Sequence, residues 1–475
     1  MKNKLLSLAL LVITSYSFAQ EKNSFWKTST KSNLVSLESA TNLPEKFVFD
    51  LDVNALKSKL ATSPKRNSSA KTSSVVLSLP TADGEMEQFN VFENSNMDPA
   101  LAARYPEIKS YIGIGVANPS TKVFFSVSPL GFKSMTLYAD KSAVFIEPIS
   151  QDFTTYTVYR KSDKVASLDK FECKVLDIVS PQVNSSIMAR PNADDAVLRT
   201  FRLALSVTGE YTTYFGGTKA LALAAMNNTM TRVNGVFEMD FGAHMNLIAN
   251  NDVLIYTSAS TDPYSAATAG SGGAWNAELQ NTLTSVIGNA GYDIGHLFGA
   301  SGGGGNAGCI GCICVDDTTS TTDLNKGSGF TSPADAIPSG DNFDIDYVAH
   351  EMGHQFGANH TFTHSNEGTI AQVEPGSGST IMGYAGITTL DVQPHSDAYF
   401  HAVSIQQVTN NIKAKTCSVN IATGNAIPTA NAGLDYTVPK STPFMLTGSG
   451  TDANGDILTY DWEQMDKQTT SAAPS

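Results

Sequence analysis

Short stretches in which apolar and polar residues alternate dominate the first part of the chain. Alternation with a period of two is typical of strands whose two faces meet different surroundings. Such stretches lie at residues 47–49, 74–77, 124–127 and 155–159, with turn-forming residues between them. The pattern predicts a β-rich domain over residues 20–195.

The periodicity changes after residues 180–194, a polar, proline-containing segment that we interpret as a linker. Beyond it, alternating apolar residues predict strands, and apolar residues three or four apart predict helices. The strands are predicted near 201–207 and 292–298, and the helices near 223–233 and 279–287. Strands and helices that alternate along a chain are typical of a layered α/β domain. We expect this domain to occupy residues 196–420.

The first residues resemble an export signal. Two lysines among the first four residues precede the apolar run Leu5–Ile13, and Ser17-Phe18-Ala19 offers a cleavage site of small residues. The run is too short to span a bilayer, and no later run approaches the about 18 apolar residues that a membrane helix needs. We expect a signal peptide at residues 1–19 and a secreted mature protein. An uncleaved anchor is the alternative.

Composition narrows the classes of function. The 475 residues are enough for about three domains, and the formal net charge is −14 with 16% charged residues. A negative chain of this kind lacks the basic surface that binds phosphate backbones, so we expect no nucleic-acid partner. Nothing in the composition indicates an oligomeric state.

The strongest chemical signal is a set of histidines: His350 and His354 are four residues apart, and Gly357 and His360 follow. On a helix, residues four apart lie on one face, so the first two histidines can bind the same metal ion. A continuous helix would carry His360 away from that ion, but Gly357 can adopt φ > 0 and turn the chain back. We expect three histidines around one zinc ion, with the fourth position free for water.

Glu351 follows the first histidine and lies about 100° further round the helix. It is therefore not placed as an equivalent ligand, but it can reach a water in the open position of the ion. We expect it to be the general base. A purely structural zinc site is the alternative, although such sites usually have a fourth protein ligand.

The extended motif resembles that of the metzincin metallopeptidases, which also have a methionine-containing turn after the third histidine. Ser379–Tyr384 matches this turn, and the resemblance implies that Met382 forms an apolar floor beneath the zinc ligands. Tyr384 is similar to a tyrosine of the astacin and serralysin branches, which approaches the zinc and stabilises the oxyanion. The reprolysin branch generally lacks it, so a packed core tyrosine is the alternative.

The helix-rich first half of this domain, the cysteine strand before the active-site helix and the terminal Cys417 resemble those of reprolysin-like bacterial secreted proteases, over roughly residues 197–420. The resemblance implies a mixed sheet, an active-site helix and a cleft between two subdomains. It also implies that a sheet edge, here near Asn306–Val315, pairs with a substrate peptide as an added strand. We therefore expect protein or peptide substrates that bind in an extended conformation.

The five cysteines are distributed unevenly, and one of them must remain unpaired. Cys309, Cys312 and Cys314 cluster, but no second pair at zinc-finger spacing accompanies them, so we favour disulfides over a metal knuckle. Four cysteines allow three pairings. The reprolysin resemblance implies a bond between Cys314 and Cys417, which leaves Cys309 to pair with Cys312.

An exported protease with an intact site would damage the cell that makes it, so we interpret residues 20–195 as an inhibitory propeptide. Cys173 lies within this region, and a thiolate is a good zinc ligand. We expect it to occupy the open position until cleavage, as in metzincin cysteine switches, although the residues around it do not match their usual sequences. An inert buried thiol and an intermolecular disulfide are the alternatives.

Residues 427–475 resemble the first half of a PKD-type β-sandwich. These 49 residues are fewer than the about 80 to 100 of such a sandwich, so we expect the sequence to stop within the module. Asp452, Asn454 and Asp456 could bind calcium through hard oxygen ligands. An acidic turn is the alternative.

The remaining motifs give weaker indications of a chemical role. Gly302–Asn306 lacks the lysine and helix start of a phosphate-binding loop, so we interpret it as a flexible loop. Five histidines lack the spacing of metal ligands and are expected to be ordinary surface or core residues: His244, His296, His364, His395 and His401. Of these, only His364 is close enough to the motif in sequence to support a ligand.

These features together predict a secreted zinc endopeptidase made as a zymogen. Zinc bound by the three histidines would polarise the peptide carbonyl and acidify a water, and Glu351 would move the proton to the leaving amine. A cell-surface adhesion or glycan-binding protein with a vestigial metal site is the alternative. The intact Glu351 argues against it.

Overall fold

The computed structural model describes residues 25–31, 34–66, 72–165, 172–175, 195–318 and 320–467. The expected signal peptide and linker lie outside these residues. In the described part of the chain, no helix is long and apolar enough to cross a membrane.

Nine strands between residues 26 and 160 form one antiparallel sheet. They are β1 Trp26–Thr28, β2 Phe47–Leu51, β3 Val76–Pro80, β4 Met86–Glu93, β5 Lys109–Gly115, β6 Lys122–Ser128, β7 Gly131–Leu137, β8 Val144–Pro148 and β9 Thr155–Arg160. Their order across the sheet is β1-β2-β9-β8-β7-β6-β5-β4-β3. Helix α1 (Val53–Leu60) follows β2, and helix α2 (Pro99–Arg104) lies between β4 and β5. We call this unit the N-terminal sheet.

Both faces of the N-terminal sheet are buried. This is possible because its strands direct apolar side chains alternately to the two faces. In β6, Val123 and Phe125 join a core that also includes Leu56 of α1. Phe124 points the other way, into a core that includes Phe201 of the next domain. Because successive side chains of a strand point to opposite faces, one strand contributes to both cores.

The second domain is a mixed α/β unit, as the sequence predicted. Its six strands are β10 Val197–Val207, β11 Ala243–Leu247, β12 Ile294–Phe298, β13 Gly304–Asn306, β14 Gly329–Ser332 and β15 Val419–Ala422. Its helices are α3 Gly209–Tyr214, α4 Lys219–Phe241, α5 Ala267–Ala269, α6 Trp275–Val286, α7 His350–Phe356 and α8 Ala402–Lys413. The sheet order is β11-β10-β12-β14-β13, with β15 antiparallel to β10.

The predicted position of the sheet edge is wrong. The sheet edge is β13 (Gly304–Asn306), antiparallel to β14, whereas the sequence placed an edge strand at Asn306–Val315. Residues 307–315 form a loop instead, and the glycines interpreted as a flexible loop supply the strand. Strand β15 ends at Ala422, close to the predicted end of the domain at residue 420, which stays a prediction.

The disulfides agree with the pairing that the resemblance implied. Cys309 is bonded to Cys312, and Cys314 is bonded to Cys417. The second bond connects the loop after β13 to the segment after α8. Cys173 is a free thiol.

After β15, the described residues form one two-stranded sheet, from β16 (Thr429–Asn431) and β17 (Ser449–Thr451). A PKD-type sandwich therefore stays a prediction. The Asp452 carboxylate accepts hydrogen bonds from the backbone N–H groups of Asn454 and Asp456, at 2.8 and 3.1 Å. These bonds make the acidic turn of the alternative interpretation, and they give no support to calcium.

Candidate metal centre

The histidine motif lies on a helix that continues the segment before it. Residues Asn342–Ala349 form a π-type helical segment, and α7 follows directly at His350. His350 and His354 lie one turn apart on α7, with ring centroids 4.9 Å apart. The spacing of four residues therefore places both imidazoles on the same side of the helix, where both are buried.

Helix α7 ends at Gly357, which has a φ of 122°. Its backbone N–H donates to the carbonyl of His354, and a Cβ at this position would lie 3.1 Å from the Cβ of Asn411. Both the backbone angle and the tight space favour glycine. The turn brings His360 back to the helix, with its ring 4.5 Å from that of His354 and 5.2 Å from that of His350.

Four side chains converge at this point: Cys173, His350, His354 and His360. Each offers one ligand atom, and these four atoms all lie within 4.8 Å of one another. The Nε2 atoms of His354 and His360 are 3.0 Å apart. We call these four residues the metal cluster.

The far nitrogen of each ring holds the imidazole in one orientation. Nδ1 of His350 lies 2.7 Å from the carbonyl oxygen of Ile381, and Nδ1 of His354 lies 2.8 Å from that of Ala358. A carbonyl can only accept, so each Nδ1 carries the hydrogen. The lone pair of each neutral ring is then on Nε2, which faces the cluster.

His360 has a carboxylate in the same role. Its Nδ1 donates to Oε2 of Glu367, at 2.9 Å. Sequence reasoning missed Glu367, because the only signal was a carboxylate seven residues after His360 in a segment without regular structure. The carboxylate fixes the tautomer of His360 and makes its Nε2 a stronger electron donor.

The cluster fits a divalent cation. Burial and the neighbouring rings of His360 and His350 lower the pKa of His354 well below its usual value, so this ring is neutral. The Nε2 atoms of His354 and His360 are 3.0 Å apart, while Nδ1 of each ring is bound to an acceptor outside the cluster. Two nitrogens on one tetrahedral zinc would lie about 3.3 Å apart. The observed separation is close to that of two nitrogens bound to one cation.

Cys173 completes the arrangement from the N-terminal side of the chain. Its Sγ lies 3.7 Å from Nε2 of His354, and a sulfur and a nitrogen on one tetrahedral zinc would be about 3.6 Å apart. The backbone around Cys173 pairs with the sheet edge, because Lys174 donates its N–H to the carbonyl of Gly305 at 3.0 Å. Gly305 in turn donates to the carbonyl of Glu172, also at 3.0 Å.

The thiol is a weak acid in these surroundings. Burial of the sulfur and the nearby Glu351 carboxylate raise the pKa of Cys173 to about 12, against the opposing effect of His360. A thiol with this pKa is protonated at neutral pH. Binding of a cation favours the thiolate, since metals bind the deprotonated form of cysteine.

Glu351 lies beside the metal cluster but outside the set of four ligand atoms. Its side chain is buried, and burial raises its pKa to about 8. The Cys173 thiol, His360 and the Ala307 backbone N–H partly oppose this rise. Gly305 of the sheet edge passes so close that a Cβ there would overlap the Glu351 carboxylate. The carboxylate thus lies between the cluster and the edge strand.

Met382 and Tyr384 lie on either side of the histidines. The buried Sδ of Met382 would lie 2.7 Å from a Cβ on Gly353, so the thioether packs against α7. The Tyr384 ring is 4.7 Å from that of His360, and its hydroxyl donates a long hydrogen bond of 3.5 Å to the Cys173 carbonyl. Burial, with Cys173 and Glu351, raises the pKa of Tyr384 well above its usual value, so the hydroxyl keeps its proton.

The other histidines lie outside the metal cluster. His296 is buried between Gln355 and Thr331, and burial lowers its pKa to about 4. His364 stacks on Phe362 and is 5.9 Å from the Tyr384 ring. The other three have partners outside the cluster: His244 contacts Glu238, His395 contacts the distant Val165 carbonyl, and His401 contacts the first turn of α8.

Residues 197–417 match a family model described as metallo-peptidase family M12B, reprolysin-like. No curated protein matches the chain. The matched segment is just under half of the chain, and it contains the three clustered histidines, Glu351 and Met382. Residues 197–417 therefore form a zinc metallopeptidase domain of the M12B reprolysin-like family.

Proposed function

We propose that the chain is the secreted zymogen of a zinc-dependent endopeptidase. The observation that carries this proposal is the convergence of three imidazole Nε2 atoms and one thiol sulfur within 4.8 Å. Three of these donors belong to the matched peptidase domain, and the fourth comes from the region before it. An adhesion protein with a vestigial site would not need this complete set or the buried Glu351.

His350, His354 and His360 would hold the zinc ion. When bound, zinc supplies Lewis acidity, which polarises a carbonyl and lowers the pKa of water. Glu351 accepts the proton of the attacking water and later donates it to the leaving amine. Its side chain lies beside the metal cluster without belonging to the four ligand atoms, which leaves the carboxylate available for both steps.

Two other groups would position the substrate. The backbone of β13 offers N–H and C=O groups at the sheet edge, which an extended peptide can pair with. Tyr384, with its hydroxyl proton retained, can donate to the carbonyl oxygen as negative charge develops there. Met382 packs beneath the helix and would keep the ligands rigid.

The segment Glu172–Lys174 would keep the zymogen inactive. It already pairs with Gly305 of the edge strand, in the parallel direction. The Cys173 sulfur fills the fourth position of the metal cluster. A substrate peptide therefore meets an occupied edge and an occupied ligand position until this segment is displaced.

Metal analysis and a cleavage assay test the proposal. The processed protein should contain about one zinc per chain, cleave a denatured protein, and lose this activity on chelation and regain it with zinc. The double variant His350→Ala/His354→Ala is the control and should bind no zinc at this site. Full cleavage activity after the metal is removed would refute the proposal.

Replacing Glu367 with glutamine should lower zinc affinity about 10- to 100-fold, because the His360 ring loses a charged acceptor. Competition with a chromogenic chelator measures this effect directly, without relying on activity. Glu210→Gln on α3 is the matched control and should not change the affinity. An unchanged affinity of Glu367→Gln would show that this contact does not support the metal.

A further inference from the structure

Helix α4 is buried on all sides, although its sequence contains many polar residues. Of its 23 residues, 17 are buried, including Asn227, Thr231, Arg232 and Asn234. One side packs on the sheet of the peptidase domain, and the N-terminal sheet covers the other. A surface helix normally exposes its polar face to water.

The two units approach each other closely at the middle of α4. A Cβ on Gly235 would lie 2.9 Å from both Phe124 and Met135 of the N-terminal sheet. Phe124, Met135 and Phe145 also share one continuous core with Phe201 of the peptidase domain. Separation of the two units would therefore expose a large apolar surface to water.

Polar side chains of α4 hydrogen-bond with Asn96, which lies on the N-terminal side of the interface. The Asn96 side chain donates to Thr231 at 2.8 Å and accepts from Asn234 at 3.0 Å. The backbone around Asn96 also pairs with β11, the edge strand of the peptidase sheet. Leu247 of β11 donates its N–H to the Asn96 carbonyl at 2.8 Å and accepts from the Asp98 N–H at 2.9 Å.

Buried charges cross the same interface. Arg232 of α4 is 1% exposed and lies 2.5 Å from Glu147 of the N-terminal sheet and 2.9 Å from Asp344. Lys161, just after β9, pairs with Asp346. The pairs Arg232–Glu147 and Lys161–Asp346 join the two units and would be lost if the units separated, and an unpaired buried charge is strongly unfavourable.

Asp344 and Asp346 connect this interface to the metal cluster. Both lie in the helical segment Asn342–Ala349, which leads directly into α7. Asp341, just before that segment, accepts hydrogen bonds from Tyr159 at 2.8 Å and Lys164 at 2.7 Å. The N-terminal sheet thus holds the base of the helix that carries His350.

We infer that the N-terminal sheet remains bound to the peptidase domain after the chain is cut between them. The mature enzyme is then a complex of two chains, in which the N-terminal part of this same protein is the partner of the peptidase domain. Activation displaces the segment around Cys173, while the N-terminal sheet continues to cover α4. This inference rests on the proposed zymogen.

Controlled cleavage of the full chain tests the inference. Recognition sites for a sequence-specific protease are introduced at residues 166–170 and 181–190, on both sides of Cys173, and the folded protein is cut. We expect both large fragments to elute as a one-to-one complex in size-exclusion chromatography. An N-terminal fragment that elutes alone would overturn the inference, whatever the state of the other fragment.

A matched pair of variants shows whether the described contacts hold the complex. Lys161→Met removes the ion pair with Asp346 and should raise the dissociation constant of the fragments at least about tenfold. Lys57→Met changes an exposed lysine of the same sheet unit and should leave it unchanged. Equal dissociation constants for both variants would contradict the assigned interface.

Zinc content and peptidase activity of the cut protein separate this inference from the proposed function. A stable complex without activity would count against the function and leave the inference standing. Fragments that separate while the peptidase fragment cleaves substrate would refute the inference alone.

Discussion

Glu351→Gln should reduce the rate of peptide hydrolysis about a thousandfold, because the amide cannot accept a proton from the attacking water. Glutamine has nearly the same size and shape, so the buried space beside Gly305 still accommodates it. Glu351 also lies outside the set of four ligand atoms. The metal should therefore remain bound, and the loss should fall on kcat more than on KM.

Steady-state kinetics on a peptide substrate, together with zinc analysis of the same samples, measures this effect. Glu210→Gln, the same chemical change on α3, is the control and should keep normal kinetics. A Glu351→Gln enzyme with more than a tenth of the normal kcat and full zinc content would show that another group is the base.

The local geometry of the histidine motif could be predicted from spacing alone. Histidines four residues apart must share a helix face, and a glycine before the third histidine allows the chain to turn back. Gly357 indeed has a φ of 122°, and His360 lies beside His354. These features depend on a few consecutive residues, so one sequence contains the necessary information.

Contacts between distant parts of the chain were harder to predict. Cys173 was a candidate because it lies in the predicted propeptide and a thiolate binds zinc well, but no spacing pointed to its 3.7 Å contact with His354, which spans 181 residues of sequence. The apolar spacing of α4 predicted a helix, but not that Asn227, Thr231 and Asn234 would be buried. Their partner, Asn96, lies more than 130 residues earlier. Periodicity reports local geometry and says nothing of such partners.

The sheet edge shows a different limit. The reprolysin resemblance implied an edge near Asn306–Val315, whereas the strand is Gly304–Asn306, which lacks the β-branched and aromatic residues that mark a strand. Glycine is required at Gly305 because the Glu351 carboxylate fills the space of a side chain. The site beside this strand therefore requires glycine, although glycine has a low intrinsic preference for strands.

Replacing Cys173 with alanine should allow the uncut chain to hydrolyse peptides at least about tenfold faster than the uncut wild type, because the inhibitory ligand has a high effective concentration when it belongs to the same chain. The activation should be incomplete. Backbone pairing of Glu172 and Lys174 with Gly305 does not depend on the thiol, so the segment still competes for the sheet edge.

Initial rates, measured before cleavage products appear on a gel, isolate the uncut form. Glu172→Gln is the matched control, since its exposed side chain can change while the backbone contacts and the thiol remain. It should stay as inactive as the wild type.

Cobalt substitution gives a readout that does not depend on turnover. The uncut wild type should show a charge-transfer band from thiolate to cobalt, and Cys173→Ala should lack it, because Cys173 is the free thiol of the metal cluster. Loss of the band together with a faster rate would establish the thiol as the inhibitory ligand. If Cys173→Ala has the same rate and the same spectrum as the uncut wild type, the sulfur lies near the metal without a bond to it. Inhibition would then come from the paired backbone at Gly305.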